Sequence, residues 1–155
     1  MKIRSVRPNN RKRSFEVETA RERYAFPYVR SEPSPTAQDA VVSVEIDPEL
    51  GREAFSYALA SGRSGLVHIE QVLEYNQDPV YMRNLLLYRL TVEVQQRIDQ
   101  SPLAKREIIR RLGTSPAQLY RLLDQTNYRK SVDQMLRLLQ VLDCEVELVV
   151  RPRSA

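Results

Sequence analysis

Short stretches in the first half of the chain alternate polar and apolar side chains with a period of two residues. This alternation predicts strands at residues 2–7, 14–18 and 23–26, and a β-branched run predicts another at residues 41–46. The cluster Pro8-Asn9-Asn10 predicts a turn after the first strand, and a short strand is expected at Gly65–Ile69. The tip Asn9–Arg13 carries three charges of one sign, so we expect it to be exposed to solvent.

A helix is predicted between the strand at residues 41–46 and the strand at Gly65–Ile69. Asp47 followed by Pro48 is typical of a helix start, because Asp caps free amides and proline at the first helical position costs no hydrogen bond. The helix is expected to run to about Ala60 and to end at Gly62. Its inward face would carry Leu50, Ala54, Tyr57 and Ala58.

The second half of the chain follows helical spacing. A long helix is expected from Asp78-Pro79 to about residue 100, then two short helices at Pro102–Leu112 and Pro116–Leu123. Ser115 with Gln118, and Ser131 with Gln134, have the spacing of a capping box, and Ser131 would start the last helix. Residues Glu145–Val150 predict a final strand that stops at Pro152.

These elements predict an α+β fold in two domains. An N-terminal antiparallel-sheet domain with one helix would cover residues 1–77, and an all-α helix-turn-helix domain ending in a short strand would cover residues 78–155. The final strand could pair with the N-terminal sheet or with a second subunit. We find no internal repeat in the sequence.

The turn Gly113-Thr114-Ser115 is the most informative segment. Glycine tolerates a positive φ, so two helices can cross steeply within these three residues. Leu119 would then face Ile108 and Leu112, leaving the polar side of the second helix exposed. A short exposed helix with small, amide and guanidinium side chains can enter a DNA major groove. A plain helical bundle with an ordinary helix stop at Gly113 would show the same spacing.

The segment LAKREIIRRLGTSPAQLYR at residues 103–121 resembles the helix-turn-helix of the λ-repressor-like, or XRE-type, family. The family pattern has a Leu-Gly-x-Ser turn, then an aliphatic residue and an arginine. The matching positions are Leu112, Gly113, Ser115, Leu119 and Arg121. The similarity extends over about residues 85–150. The sequence departs from the family pattern at Ile109, Pro116, Ala117 and Leu123.

The resemblance implies a set of DNA contacts. Those expected to read base edges are Ser115, Ala117, Gln118, Tyr120 and Arg121. Among them, the Arg121 guanidinium matches the O6 and N7 acceptors of guanine, and Ala117 could meet a thymine methyl group. Those expected to contact phosphates are Lys105, Arg106, Arg129 and Lys130.

Charge is unevenly distributed along the 155 residues, whose net charge is +4. Residues 1–30 hold nine Lys/Arg against three Glu, whereas residues 31–81 hold two Arg against nine Asp/Glu. Residues 101–131 hold seven Lys/Arg against two acidic residues. The local excess of positive charge around the helix-turn-helix favours a polyanionic partner, although many charge runs are only solvated surface.

The remaining composition argues against other classes of function. One cysteine, Cys144, and one histidine, His68, provide no disulfide, no metal site and no paired nucleophile, so we expect no catalytic residues, metal or cofactor. His68 is expected to be a half-buried strand residue and Cys144 a core thiol. No stretch is apolar enough for a membrane span, and a cytoplasmic location is expected.

Two functions therefore remain. The first is a sequence-specific transcriptional regulator that binds double-stranded DNA, as a homodimer. The alternative is an antitoxin-like module, in which the N-terminal domain binds and neutralises a protein partner and DNA binding regulates its own operon. In that case the acidic helix predicted at residues 48–60 and its aromatic side chains would form the protein contact.

Overall fold

The computed structural model describes residues 1–153. Over these residues the chain is mixed α+β, with two three-stranded antiparallel sheets and five α-helices. It divides into two compact units, residues 1–82 and 83–155, and the division falls within the long helix Pro79–Gln100. Each unit has its own cluster of buried apolar side chains.

The first unit contains both sheets. The first sheet has the order β1 (Ile3–Asn9), β2 (Ser14–Thr19), β3 (Arg23–Pro27), and a single 3-10 turn follows at Tyr28–Arg30. The second sheet has the order β4 (Val41–Ile46), β5 (Ala54–Leu59), β6 (Ser64–His68). The strands predicted from polar and apolar alternation are thus confirmed.

The helix predicted at residues 48–60 is wrong, because its second half is strand β5. The Asp47 carboxylate does cap free amides, accepting from the backbone N–H groups of Glu49 and Leu50 at 2.8 and 3.2 Å, but the capped segment is a turn. Gly51 then takes a positive φ of 63°, which helical residues do not adopt. Beyond the turn, Phe55 and Tyr57 lie in the core and the residues between and after them are only half-buried, as a strand requires.

The helix of the first unit lies instead at α1 (Ile69–Tyr75). His68 ends β6 and caps this helix: its Nδ1 accepts from the backbone N–H of Glu70 at 3.2 Å. In return, the His68 backbone N–H donates to Oε1 of Gln71 at 2.8 Å. His68 is half-buried, as expected, and its imidazole has a structural role at the helix start.

The two sheets are built to one plan, a repeat that the sequence analysis missed. In the first, Phe15 pairs with Pro8 and Phe26; in the second, Phe55 pairs with Ile46 and Val67. Both first strands carry a one-residue register shift at the same place, between Ile3 and Ser5 and between Val41 and Ser43. The side chains differ at most equivalent positions, so the repeat lies in backbone pairing more than in sequence.

The equivalent phenylalanines meet at the centre of the first unit. The Phe15 and Phe55 rings are fully buried, with centroids 5.0 Å apart in an edge-to-face arrangement. Phe15 also contacts the rings of Tyr28 at 4.9 Å and Tyr57 at 5.0 Å. Such pairs add to the free energy gained by burying their apolar area. The two meanders therefore share one aromatic core.

Asp78 is a buried carboxylate with several partners in the first unit. It accepts a hydrogen bond from the hydroxyl of Tyr24 at 2.9 Å and from the backbone N–H of Tyr81 at 3.0 Å, and Arg21 lies 3.7 Å away. Burial, and then the bond to Asp78, raises the pKa of Tyr24 to about 12. This network links β3 and the residues just before it to the start of the long helix Pro79–Gln100.

The second unit is formed by helices. These are α2 (Pro79–Gln100), whose first turn belongs to the first unit, α3 (Lys105–Leu112), α4 (Pro116–Leu123) and α5 (Val132–Val141). The predicted capping box of α5 is present, with the Ser131 side chain accepting from the backbone N–H of Gln134 at 3.2 Å. The helix predicted from Pro102 begins three residues later, because Ser101 and Pro102 form a loop before it.

The predicted strand at Glu145–Val150 is also wrong. Residues 145–150 form neither helix nor strand, and Leu148 and Val150 are 89% and 82% exposed. A strand needs a neighbouring strand to satisfy its backbone groups, and within residues 1–153 none pairs with this segment. Cys144, expected to be a core thiol, is only half-buried and packs against the apolar cluster of the second unit.

Phe55 and Leu50 distinguish the observed strand from the predicted helix. Phe55→Ala should lower the free energy of unfolding by about 3–5 kcal/mol, since it removes a fully buried ring. Leu50→Ala should change it by less than about 0.5 kcal/mol, because Leu50 is exposed on the turn. Urea unfolding followed by circular dichroism measures both values. Equal losses would contradict the strand assignment, because the predicted helix buries Leu50.

Candidate nucleic-acid interface

Gly113, in the turn between α3 and α4, has the positive φ that the sequence predicted. Gly113 takes the left-handed conformation, with φ 65° and ψ 38°, and its N–H donates to the carbonyl of Arg110. Ser115 then caps α4, its side chain accepting from the backbone N–H of Gln118 at 3.2 Å, and Pro116 occupies the first turn. The direction change between the helices is therefore fixed by backbone geometry.

Helix α4 has one buried and one exposed face. Leu119 and Leu122 are 0% and 5% exposed and join the apolar cluster that contains Ile108 and Leu112 of α3. The residues predicted to read bases lie on the other side: Gln118 is half-buried, and the exposed ones are Ser115, Ala117, Tyr120 and Arg121. The structure thus brings all five predicted base-reading residues to one short helix and its cap.

Two side chains of the exposed face are available to a partner. Tyr120 is 60% exposed, and its ring lies beneath the ammonium group of Lys105, with Nζ 5.8 Å from the ring centroid. Arg121 is exposed, and its guanidinium makes no hydrogen bond or salt bridge to any residue of the described chain, 1–153. A predicted phosphate contact therefore lies next to a predicted base contact.

Some of the other cations around this face are unpaired, and two share one carboxylate. Arg106 and Arg129 are exposed, as phosphate contacts must be. Arg110 and Arg111 both bond to the Glu107 carboxylate, which their guanidinium groups hold at a pKa of about 2. This one carboxylate compensates only one of the four positive charges of α3, so the helix keeps a net positive charge.

Lys130 must be removed from the predicted phosphate contacts. It is 3% exposed, and its Nζ donates to the backbone carbonyls of Leu122 and Asp124 at 2.8 and 2.9 Å and to the hydroxyl of Thr91. Burial lowers its pKa from the ordinary lysine value. All three donors of the ammonium group are used inside the protein, so none reaches a ligand.

Lys130 is one of three side chains that hold the end of α4. The last turn of a helix leaves carbonyls without helical partners, and here three successive ones receive side-chain donors. Asn127 Nδ2 donates to Arg121 O at 3.0 Å, Lys130 Nζ to Leu122 O, and Gln95 Nε2 to Leu123 O at 2.7 Å. These bonds fix where α4 ends.

Sequence reasoning missed Gln95 and Asn127 as positioning residues. Gln95 lies on α2, far from α4 in sequence, and nothing in its local pattern distinguishes it from a solvated helical residue. Asn127 lies in the polar loop after α4, where an amide side chain is a recognisable signal for capping the preceding carbonyls. Arg83 adds a further tie, donating to the carbonyl of Tyr128 at 3.0 Å.

Comparisons with known proteins identify no relative: no family model, no curated protein and no solved structure matches the chain. Residues 1–153 bring together no group of three or more metal-ligating side chains. In the same part of the chain, every helix is too short or too polar to cross a bilayer.

Replacing Lys130 tests its structural role. Lys130→Met keeps the length of the side chain but leaves the carbonyls of Leu122 and Asp124 without their donor, so we expect a loss of about 1–3 kcal/mol in the free energy of unfolding. Arg129→Met, at an exposed neighbouring position, should change it by less than about 0.5 kcal/mol. Chemical denaturation measures both. A stable Lys130→Met protein would show that the buried amine is dispensable.

Proposed function

We propose that this protein is a sequence-specific DNA-binding transcriptional regulator that inserts α4 into the major groove. The observation that carries the proposal is the outward face of α4, on which Tyr120 and the unpaired Arg121 stand opposite the buried Leu119 and Leu122. Small side chains at Ser115 and Ala117 allow the helix start to approach base edges closely. Such a role implies a location with the cell's DNA, which is the cytoplasm in a bacterium.

The charge distribution around α4 supports phosphate contacts beside base contacts. Lys105 lies over Tyr120, and Arg106 and Arg129 are exposed without a carboxylate partner in the described chain. Such cations displace counterions condensed on the duplex, and the resulting affinity falls steeply with salt. The set of phosphate contacts that we propose is therefore Lys105, Arg106 and Arg129, without Lys130.

The antitoxin-like alternative has lost the surface on which it depended. It required an acidic helix at residues 48–60 with exposed aromatic side chains, whereas Phe55 and Tyr57 are 0% and 2% exposed within a sheet. Two carboxylates of this region also have internal partners: Asp47 accepts from the N–H groups of Glu49 and Leu50, and Glu53 binds the N-terminal amine at 3.1 Å. A protein partner would need another surface of the first unit.

We further propose that the protein acts as a homodimer, paired through residues 145–150. The sequence EVELVV alternates as a strand does, and it lies exposed without a neighbouring strand in the described chain. Pairing with the same segment of a second copy would satisfy its backbone and cover Leu148 and Val150. A two-fold axis would also match helix-turn-helix recognition, in which dimers bind symmetric half-sites.

Removal of the Arg121 side chain tests whether α4 recognises the DNA sequence. The preferred site is first obtained by selection from a random duplex library, and binding is then measured by fluorescence anisotropy. Arg121→Ala should weaken that site by about 1–3 kcal/mol and relax the preference at one base pair. Arg97→Ala, an exposed arginine paired with Glu93 on α2, serves as the control and should change neither. Unchanged affinity and preference in Arg121→Ala would overturn the assignment of α4.

Charge substitution in the terminal segment tests the dimer. Leu148→Lys with Val150→Lys should convert a dimer to a monomer in sedimentation analysis, because like charges would face each other across the two-fold axis. Val29→Lys with Val42→Lys makes the same change at two exposed valines of the first unit and should leave the dimer intact. A monomeric wild-type protein, or an unchanged dimer in the terminal variant, would refute this interface.

A further inference from the structure

The turn between β1 and β2 is a concentrated source of positive charge in the first unit. It consists of residues 10–13 and carries Arg11, Lys12 and Arg13, all exposed. Residues 1–13 as a whole hold six Lys/Arg and no Asp/Glu. We call residues 10–13 the basic tip.

Hydrogen bonds hold the basic tip in one conformation. The Asn9 side chain accepts from the backbone N–H of Lys12 at 3.1 Å and donates to Glu16 at 2.7 Å. Tyr28 contacts the tip twice: its hydroxyl donates to Asn10 Oδ1 at 2.8 Å and its backbone N–H to the carbonyl of Arg13 at 2.9 Å. A ligand would therefore not have to order this loop, which lowers the entropy cost of binding.

No carboxylate neutralises the three cations of the basic tip. Over the described residues, 1–153, none of them forms a salt bridge, whereas six arginines elsewhere in this part of the chain do. The paired ones include Arg23 with Glu18 at 3.7 Å, Arg63 with Asp39 at 3.0 Å, and Arg97 with Glu93 at 3.7 Å. The tip thus presents charge that is free to act on an anion.

The second meander shows that the fold does not require this charge. Its equivalent turn, Asp47–Glu53 between β4 and β5, carries three carboxylates and one arginine. Two turns in equivalent places of one repeated backbone therefore carry opposite charge. The repeated strand pairing therefore does not require the three cations at the first turn, and they remain available for an interaction beyond the fold.

We propose that the basic tip is a second contact on duplex DNA, binding its phosphates without reading sequence. This inference rests on the proposed function, and it adds to the contacts of α4. Duplex DNA carries closely spaced phosphates, and three exposed cations on a turn whose backbone is held by hydrogen bonds can neutralise several of them. Paired strands are also an established way of approaching a DNA groove. The tip would contribute affinity and salt dependence, whereas α4 would contribute base preference.

The test compares two variants of the full-length protein that lose the same charge. The tip variant is Arg11→Gln, Lys12→Gln, Arg13→Asn, with asparagine chosen because residue 13 has a positive φ of 53°. The control variant is Arg23→Gln, Arg63→Gln, Arg97→Gln, in which the lost cations are paired ones. Affinity for a 30-base-pair duplex of unrelated sequence is measured by anisotropy over a series of KCl concentrations, after thermal melting shows that each variant is folded.

We expect the slope of log K against log[KCl] to fall in magnitude by about 2 in the tip variant and to stay unchanged in the control. Equal changes in both variants would show a dependence on net charge alone and overturn the inference, as would an unchanged slope in the tip variant. Arg121→Ala on the selected site separates the two proposals. If Arg121→Ala loses base preference while the tip variant keeps its salt slope, only the proposal for the basic tip is refuted. If the tip variant changes its salt slope while Arg121→Ala keeps its base preference, only the proposal for α4 is refuted. Wild-type protein that does not bind duplex DNA refutes both proposals.

Discussion

Helix α4 is only eight residues long, and its packing decides what the second unit can present to a partner. Leu119 and Leu122, three residues apart, are drawn into the apolar cluster shared with α2, α3 and α5. Once these two are buried, helical geometry leaves Tyr120 and Arg121 directed away from the core. The outward face of α4 is therefore a consequence of core packing, and the left-handed turn at Gly113 and the cap at Ser115 set where it begins.

The end of α4 is controlled by three polar side chains, one of them buried and two half-buried. A helix with a free C-terminus frays, because its last carbonyls lack donors. Here Asn127, Lys130 and Gln95 supply those donors from the following loop and from α2. Burial of the Lys130 ammonium costs free energy, and its three hydrogen bonds offset that cost. A residue expected to contact phosphates from the surface is instead buried and stabilises the end of α4.

Local signals in the sequence predicted most of the elements and the orientation of α4. Alternation identified three strands and a β-branched run a fourth, and the cap residues Ser115 and Ser131 identified two helix starts, because these signals act within a few residues. A helix was wrongly predicted at residues 48–60 because the segment fits two patterns. Ala54, Tyr57 and Ala58 have helical spacing, whereas Phe55, Tyr57 and Leu59 alternate as in a strand. The pairing of this segment with the neighbouring strands β4 and β6 decided between the two structures.

The prediction that Lys130 contacts phosphates was wrong for a similar reason. A lysine is rarely buried, and the carbonyls and hydroxyl that make its burial possible come together only in the folded chain. The terminal segment fits a strand pattern, but a pattern cannot supply the neighbour that a strand needs.

The repeated meander has a consequence for how the first unit can vary. Had the aromatic core been assembled from two identical chains, every substitution at one turn would also occur at the other. With both meanders in one polypeptide, the turn at residues 10–13 and the turn at Asp47–Glu53 are encoded separately, so each can acquire its own side chains while Phe15 and Phe55 remain in contact. Tandem placement thus gives a nearly symmetric scaffold two chemically distinct ends.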